Sequence, residues 1–181
     1  MRVIGLAGWS GAGKTTLIVK LLPALKQRGF TVSTLKHAHH TFDVDQPGKD
    51  SFRHREAGAQ EVLIVSPNRF ALMHEFRGAP QPSLAALIGR LEPVDYLVIE
   101  GFKQEAHAKI EVHRAENSKP FLFPEDPHIK AIASDTPETG ALFANRLPYA
   151  HLDDIEAIAD LVERFAMPVE DALRLITGAK K

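Results

Sequence analysis

Residues Gly8-Trp9-Ser10-Gly11-Ala12-Gly13-Lys14-Thr15 fill every fixed position of G-x-x-x-x-G-K-[ST], between a short apolar run and a helix-forming stretch. A chain carrying this pattern must end a strand and open a helix within eight residues. Glycines at 8, 11 and 13 allow torsions closed to bulkier residues. Successive N–H groups, those of Ser10 and Ala12 included, then turn inward as an anion nest. The helix from Thr15 adds the positive end of its dipole. Lys14 is expected at the outer phosphates of a nucleoside triphosphate, and the Thr15 hydroxyl at its magnesium ion. Thr16 is counted in the same binding set.

Around this loop the periodicity implies an α/β fold of P-loop NTPase type. Its sheet is mostly parallel, with helices on both faces and a β-hairpin insertion. Val3–Ala7 reads as a buried strand. Thr15–Gln27 reads as a helix with Leu17, Ile18, Leu21, Leu22 and Leu25 on one face, kinked at Pro23 by a clash with the Val19 carbonyl. Phe30–Leu35 is a second strand. Asp50 caps a short helix over 51–57, closed by Gly58. Val62–Val65 and Phe70–His74 flank Ser66-Pro67-Asn68 and form a hairpin. Ser83–Leu91 is helical, and Tyr96–Ile99, Ala108–Val112 and Ile129–Ala133 are strands. Asp153–Phe165 is a capped amphipathic helix. The helix Val169–Thr177 after Pro168 reads as a C-terminal extension (168–181) of a single domain spanning 1–181.

The 181 residues suffice for such a core; 44% are hydrophobic and 25% charged. A net charge of −1 offers no global attraction for nucleic acid or an anionic membrane. The absence of cysteine excludes disulfides, thiolate metal sites and cysteine nucleophiles. The first apolar run is short for a signal peptide and too short to span a bilayer, so a cytoplasmic location is expected.

Magnesium needs oxygen ligands beyond Thr15. Asp95 starts the strand Tyr96–Ile99 and Glu100 ends it, roughly 17 Å apart at about 3.3 Å per residue. Ligands of open α/β sheets gather at the carboxyl ends of strands. Glu100 is therefore the catalytic and metal candidate, through a water or by orienting one, and Asp95 the structural one. Lys103 follows closely, to touch phosphate, pair with Glu100 or lie on the surface.

Lys36-His37-Ala38-His39-His40 follows the second strand at the same edge, with Asp43, Asp45, Lys49 and Asp50 beyond. Three readings stand side by side. The segment is a switch and substrate loop in which Asp45 aids water or magnesium, a transition-metal site made of histidines, or a solvated loop. His37 and His39 point the same way if extended. Arg53 and Arg55 either add to an anion site or form a solvated helix face.

The sequence resembles the MobB family of small P-loop proteins of molybdenum cofactor biosynthesis. The resemblance rests on Gly8–Thr16, Lys36–His40, Asp43-Val44-Asp45-Gln46-Pro47-Gly48-Lys49-Asp50-Ser51, and Val98-Ile99-Glu100-Gly101-Phe102-Lys103; Ala57-Gly58-Ala59 and Ile132-Ala133-Ser134-Asp135 also fit. It implies a GTP-binding homodimer with slow, magnesium-dependent GTP hydrolysis. It also implies an accessory role beside a MobA-type guanylyltransferase, which joins GMP to molybdopterin. Nucleotide residues carry over onto Gly11, Gly13, Lys14, Thr15 and Glu100, and a molybdopterin-facing loop onto His37, His39, His40 and Asp45. No N-K-x-D segment is present, and Asp135 is the candidate reader of the guanine donors. Trp9 occupies the place of the second lysine of some dimeric P-loop ATPases. No arginine finger stands out from the sequence. Two other functions use the same cradle: a small-molecule kinase with its acceptor site over 37–50, and a metal or metallocofactor chaperone gated by nucleotide.

Overall fold

The computed structural model describes residues 1–38, 42–136 and 147–178. The chain folds as two compact units, Met1–His37 with Leu84–Lys181 and, between them in sequence, Ala38–Ser83. The first stretch carries β1 (Arg2–Ala7), α1 (Lys14–Gln27) and β2 (Val32–Lys36). The smaller unit contributes α2 (Asp50–Glu56), β3 (Glu61–Ser66) and β4 (Arg69–His74). The chain then returns with α3 (Leu84–Ile88), β5 (Tyr96–Glu100), β6 (Lys109–His113), β7 (Ile129–Ser134) and β8 (Tyr149–His151), and closes with α4 (Ile155–Phe165), β9 (Met167–Pro168) and α5 (Val169–Thr177).

In the larger unit six strands run parallel in the order β2-β5-β1-β6-β7-β8, and β9 pairs antiparallel with the start of β1. β1 and β5 are apolar on both sides, as strands covered on both faces must be. Ile4, Leu6, Val98, Ile110, Val112, Ala131 and Ala133 face α1 and α4 through Leu17, Leu21, Leu25, Ile158 and Val162. Val3, Leu97 and Ile99 face the other way, onto Leu84 and Ile88 of α3 and Ala172 of α5. The expected architecture, a mostly parallel sheet with helices on its faces and a separate hairpin, is the one found.

Element boundaries depart from expectation where side chains intervene. Asp95 accepts hydrogen bonds from the Thr31 amide and hydroxyl, both at 2.7 Å, so β2 begins after this clasp, at Val32. Those bonds lower the Asp95 pKa. The helix expected over 83–91 closes at Ile88, because Gly89, Arg90 and Leu91 turn back onto the carbonyls of Ala85, Leu87 and Ile88. α1 continues through Pro23, which is exposed like Val19, so the unpartnered Val19 carbonyl lies on the solvent side. Asp154, rather than Asp153, caps α4 by accepting from the Ala157 amide at 3.0 Å. Lys49 is the N-cap of α2, and Asp50 sits in its first turn, where a carboxylate favours the dipole. The segment read as an extension covers the second face of the sheet. Val169, Leu173 and Ile176 flank Ala172 there, and Val3 pairs with Met167.

β6 carries an unusual load of polar side chains. Lys109, 1% exposed, donates to Asp126 at 2.6 Å and to the Lys103 carbonyl at 2.8 Å. Glu111, fully buried, accepts from the amides of Leu122 and Phe123; burial raises its pKa against those bonds. His107, also fully buried, presses its ring on Gly5, and both ring nitrogens lack partners. Desolvation, helped by Lys109, holds its pKa down to about 4.

In the smaller unit the β3–β4 hairpin pairs Leu63 with Leu72 and Val65 with Phe70, and all four are more than half exposed. Arg55 of α2 gathers Asp43 and Asp45, each at 3.1 Å, and Glu75 at 3.8 Å.

Two outcomes follow from this packing. Ala172→Asp should destabilise the protein by on the order of 3 kcal/mol or more, since it places an unpaired carboxylate against Val3, Leu97 and Ile99. Leu175→Asp, at a site 46% exposed, should stay within roughly 0.5 kcal/mol; urea unfolding measures both. His107 has a folded-state pKa of about 4 against an ordinary 6.5. Its contribution is therefore complete above pH 6.5 and is lost as pH falls from there toward 4, because only the unfolded chain takes up the proton. In urea titrations across that window, stability of His107→Gln should fall less with acid than that of the parent.

Candidate functional site

Four parallel strands run toward one edge of the larger unit. Leu6 of β1 lies opposite Glu100 of β5, Glu100 lies opposite Lys36 of β2, and Ala7 lies opposite Glu111 of β6. The loop 8–13 leaves β1 at this edge and α1 starts from it. Gly8 has φ +150°, and a Cβ there would stand 2.3 Å from the Val112 carbonyl oxygen. Gly13, with φ +92°, is the N-cap of α1. It offers no side-chain cap, and no acidic residue occupies the first turn, so the positive end of the helix carries no internal anion.

Lys14 folds back over the loop, donating to the carbonyls of Gly8 at 2.9 Å and Trp9 at 3.0 Å. Burial lowers its pKa, and the nearby Glu100 charge works in the opposite direction. The Thr15 hydroxyl donates to Glu100 at 2.9 Å. The Lys36 ammonium stands 3.3 Å from the same carboxylate and 3.2 Å from the Thr15 oxygen. A hydroxyl and a carboxylate thus converge beside uncapped amides and already attract a cation. Such hard oxygen donors fit magnesium, which keeps most of its waters and takes one or two protein oxygens. Lys36 is 56% exposed and free to swing outward.

On the other flank the segment after β6 lies along the loop. Asn117 donates to the Ser10 carbonyl at 3.3 Å, and the Trp9 indole donates to the Pro120 carbonyl at 2.8 Å. The Arg114 guanidinium lies against Gly13, its Nε 2.9 Å from where a Cβ would stand. Asp135, at the end of β7, accepts from the Ala115 amide at 3.1 Å and lies 3.7 Å from Arg114. Its oxygens thus already serve the 114–115 turn.

Lys14, Thr15 and Glu100 therefore meet at one place. Thr16 is exposed on α1. Lys103 lies over the Trp9 ring at 4.6 Å. The His37 amide donates to the Glu100 carbonyl at 2.9 Å, and its ring packs on Phe102 at 4.6 Å. His39 and His40 lie outside the described residues. Asp45 belongs to the smaller unit, where its side chain is 2% exposed and bound to Arg55. Arg55 is correspondingly occupied by carboxylates, whereas Arg53 is exposed. Among the described residues no three His, Asp or Glu side chains converge as a metal site. Among them, too, no helix is long and apolar enough to cross a membrane. No motif marks Arg114 or Asn117; only their position after a strand parallel to β1 points to the loop.

Residues 3–135 match the family model MobB, molybdopterin guanine dinucleotide synthesis protein B. The chain is 41% identical over 165 residues to the molybdopterin-guanine dinucleotide biosynthesis adapter protein of Escherichia coli K12, covering 88% of this chain and 90% of that one. It is 40% identical over 170 residues to the protein of the same name from Haemophilus influenzae, covering 90% and 88%. The crystal structure of Bacillus subtilis MobB superposes with a TM-score of 0.70 at 25% identity, over 92% of this chain and 98% of that one.

Gly8→Ala should lower stability by more than the roughly 1–2 kcal/mol of a left-handed torsion alone, since the Val112 carbonyl is backbone and cannot turn aside. Gly11→Ala meets only the Asn117 side chain, at 3.3 Å, and should cost less. Thermal unfolding of the two variants side by side gives the comparison.

Proposed function

The chain belongs to the MobB family, and from that premise we propose that it is a GTP-binding adapter of molybdopterin-guanine dinucleotide biosynthesis, hydrolysing GTP slowly with magnesium. The observation that supports this reading is the meeting of Lys14, the Thr15 hydroxyl and the Glu100 carboxylate at the uncapped start of α1. Backbone amides there suit the oxygens of a polyphosphate. Lys14, held on the Gly8 and Trp9 carbonyls, needs only to exchange these neutral acceptors for anionic ones. A bound magnesium ion would offset the charge of the phosphate oxygens. Thr15 and Glu100 are the residues placed to hold it, directly or through water.

The adapter role rests on the relatives, two of which carry that name at about 40% identity along most of both chains. In this reading the protein acts as a homodimer beside a MobA-type guanylyltransferase, and molybdopterin approaches the loop that starts at His37. Asp135 is the candidate for guanine selection, an assignment that depends on a base releasing it from the 114–115 turn.

Calorimetric titration with GTP, ATP and GDP, each with and without magnesium, tests the proposal. GTP should bind best, and magnesium should strengthen triphosphate binding. Lys14→Ala should weaken GTP by about ten- to a hundredfold with little change in unfolding temperature. Glu100→Gln should remove most of the gain from magnesium while sparing magnesium-free binding. Equal affinity of Lys14→Ala and parent would refute the phosphate assignment.

A further inference from the structure

The Arg114 guanidinium lies against the backbone of Gly13, on the flank of the loop opposite Glu100. We infer that Arg114 is a phosphate-binding residue supplied in cis, gripping the polyphosphate from the side that magnesium does not occupy. The inference rests on the reading of loop 8–15 as a triphosphate cradle and adds a residue that no part of the P-loop motif predicts.

Topology places the side chain. β1 lies between β5, which ends in Glu100, and β6, which ends at His113 one residue before Arg114. Thr15 and Lys36 gather on the Glu100 side. On the other side a Cβ at Gly13 would meet Arg114 Nε at 2.9 Å and Nη2 at 3.3 Å. The guanidinium therefore lies beside the first amides of α1, at the positive end of a helix that carries no acidic residue in its first turn. A cation at that end is unfavourable unless an anion is brought to it.

Among the described residues the carboxylate paired with Arg114 is Asp135, and their closest approach is 3.7 Å, longer than a hydrogen bond. Asp135 already accepts from the Ala115 amide. Both side chains are about one-third exposed, so solvent weakens the pair further. Phosphate oxygens in the nest offer the guanidinium shorter, bidentate bonds. Asn117 on Ser10 and Trp9 on Pro120 fix the segment that carries Arg114 along the loop.

The test is nucleotide affinity of Arg114→Gln, Arg114→Lys, Asp135→Asn and Lys14→Ala in the full chain, with GTP, ATP and inorganic tripolyphosphate, in magnesium and in EDTA. Arg114→Gln should weaken all three ligands by about tenfold or more. The loss should persist in EDTA, because the residue acts on the flank away from the ion. Arg114→Lys should recover part of the affinity. Asp135→Asn should strengthen tripolyphosphate, since it removes the competitor for the guanidinium; a loss confined to GTP would assign Asp135 to guanine and leave Arg114 judged by its own variants. Unchanged affinity in Arg114→Gln while Lys14→Ala loses binding overturns the inference and leaves the cradle standing. Unchanged affinity in both variants brings down the cradle and the inference with it. A lower unfolding temperature of Arg114→Gln with parental affinity would mean a structural role only, and would also overturn it.

Discussion

Parallel pairing of β1 with β5 on one side and β6 on the other brings three carboxyl ends to a single edge, and the chemistry of the larger unit is set there. The pairing is fixed by burial: Val3, Ile4 and Leu6 alternate between two apolar layers, and a slip of one residue would send each to the wrong face. With the register held, Glu100 stands level with Leu6 and within hydrogen-bond distance of Thr15. The close approach of Gly8 to the Val112 carbonyl then leaves glycine as the side chain of choice where the loop departs.

The cradle is flanked by charge of two kinds. On the β5 side a carboxylate, a hydroxyl and a half-exposed ammonium form a compact set. On the β6 side an arginine faces the loop with a distant, shared counter-ion. Segment 114–120 is held to the loop by hydrogen bonds from Asn117 and Trp9. Glu111 accepts the amides of Leu122 and Phe123, which tethers the following stretch to the sheet beneath. Lys109 and Asp126 do the same two residues earlier along the strand. These buried polar groups are matched by partners, as buried charge requires. His107 is the exception among them, and it meets the same requirement by staying neutral.

Much of the framework could be read directly from residue order. The loop at 8–15, the helix after it, Glu100 at the end of an apolar strand, and α5 from Val169 to Thr177 are local patterns whose signal lies within a few neighbouring residues. β8 and β9 escaped because three residues and two residues are too short for any periodicity, and Pro168 argues against a strand. They exist because β7 has a free edge and because Arg2 and Val3 of β1 lie ahead of Gly5, where β6 begins to pair. Helix α3 was overestimated because its apolar spacing runs past Ile88 while Gly89 turns the chain back. The status of α5 as a cover for the sheet, rather than an appendage, depends on what the sheet exposes on its second face, which no segment reveals alone.

What the sequence determined by itself was the strand–loop–helix at residues 8–15 and the family, because a turn between a strand and a helix is built from contiguous residues. What only the tertiary structure decided was the company that loop keeps. Arg114 and Asn117 lie about a hundred residues away along the chain and carry no motif. They reach Gly13 and Ser10 solely because β6 runs parallel beside β1. Asp45 and Arg55 went the other way: residues that look available for catalysis or anions in the sequence pair with one another in the fold, since a buried carboxylate and a guanidinium ten residues apart are more stable together than alone.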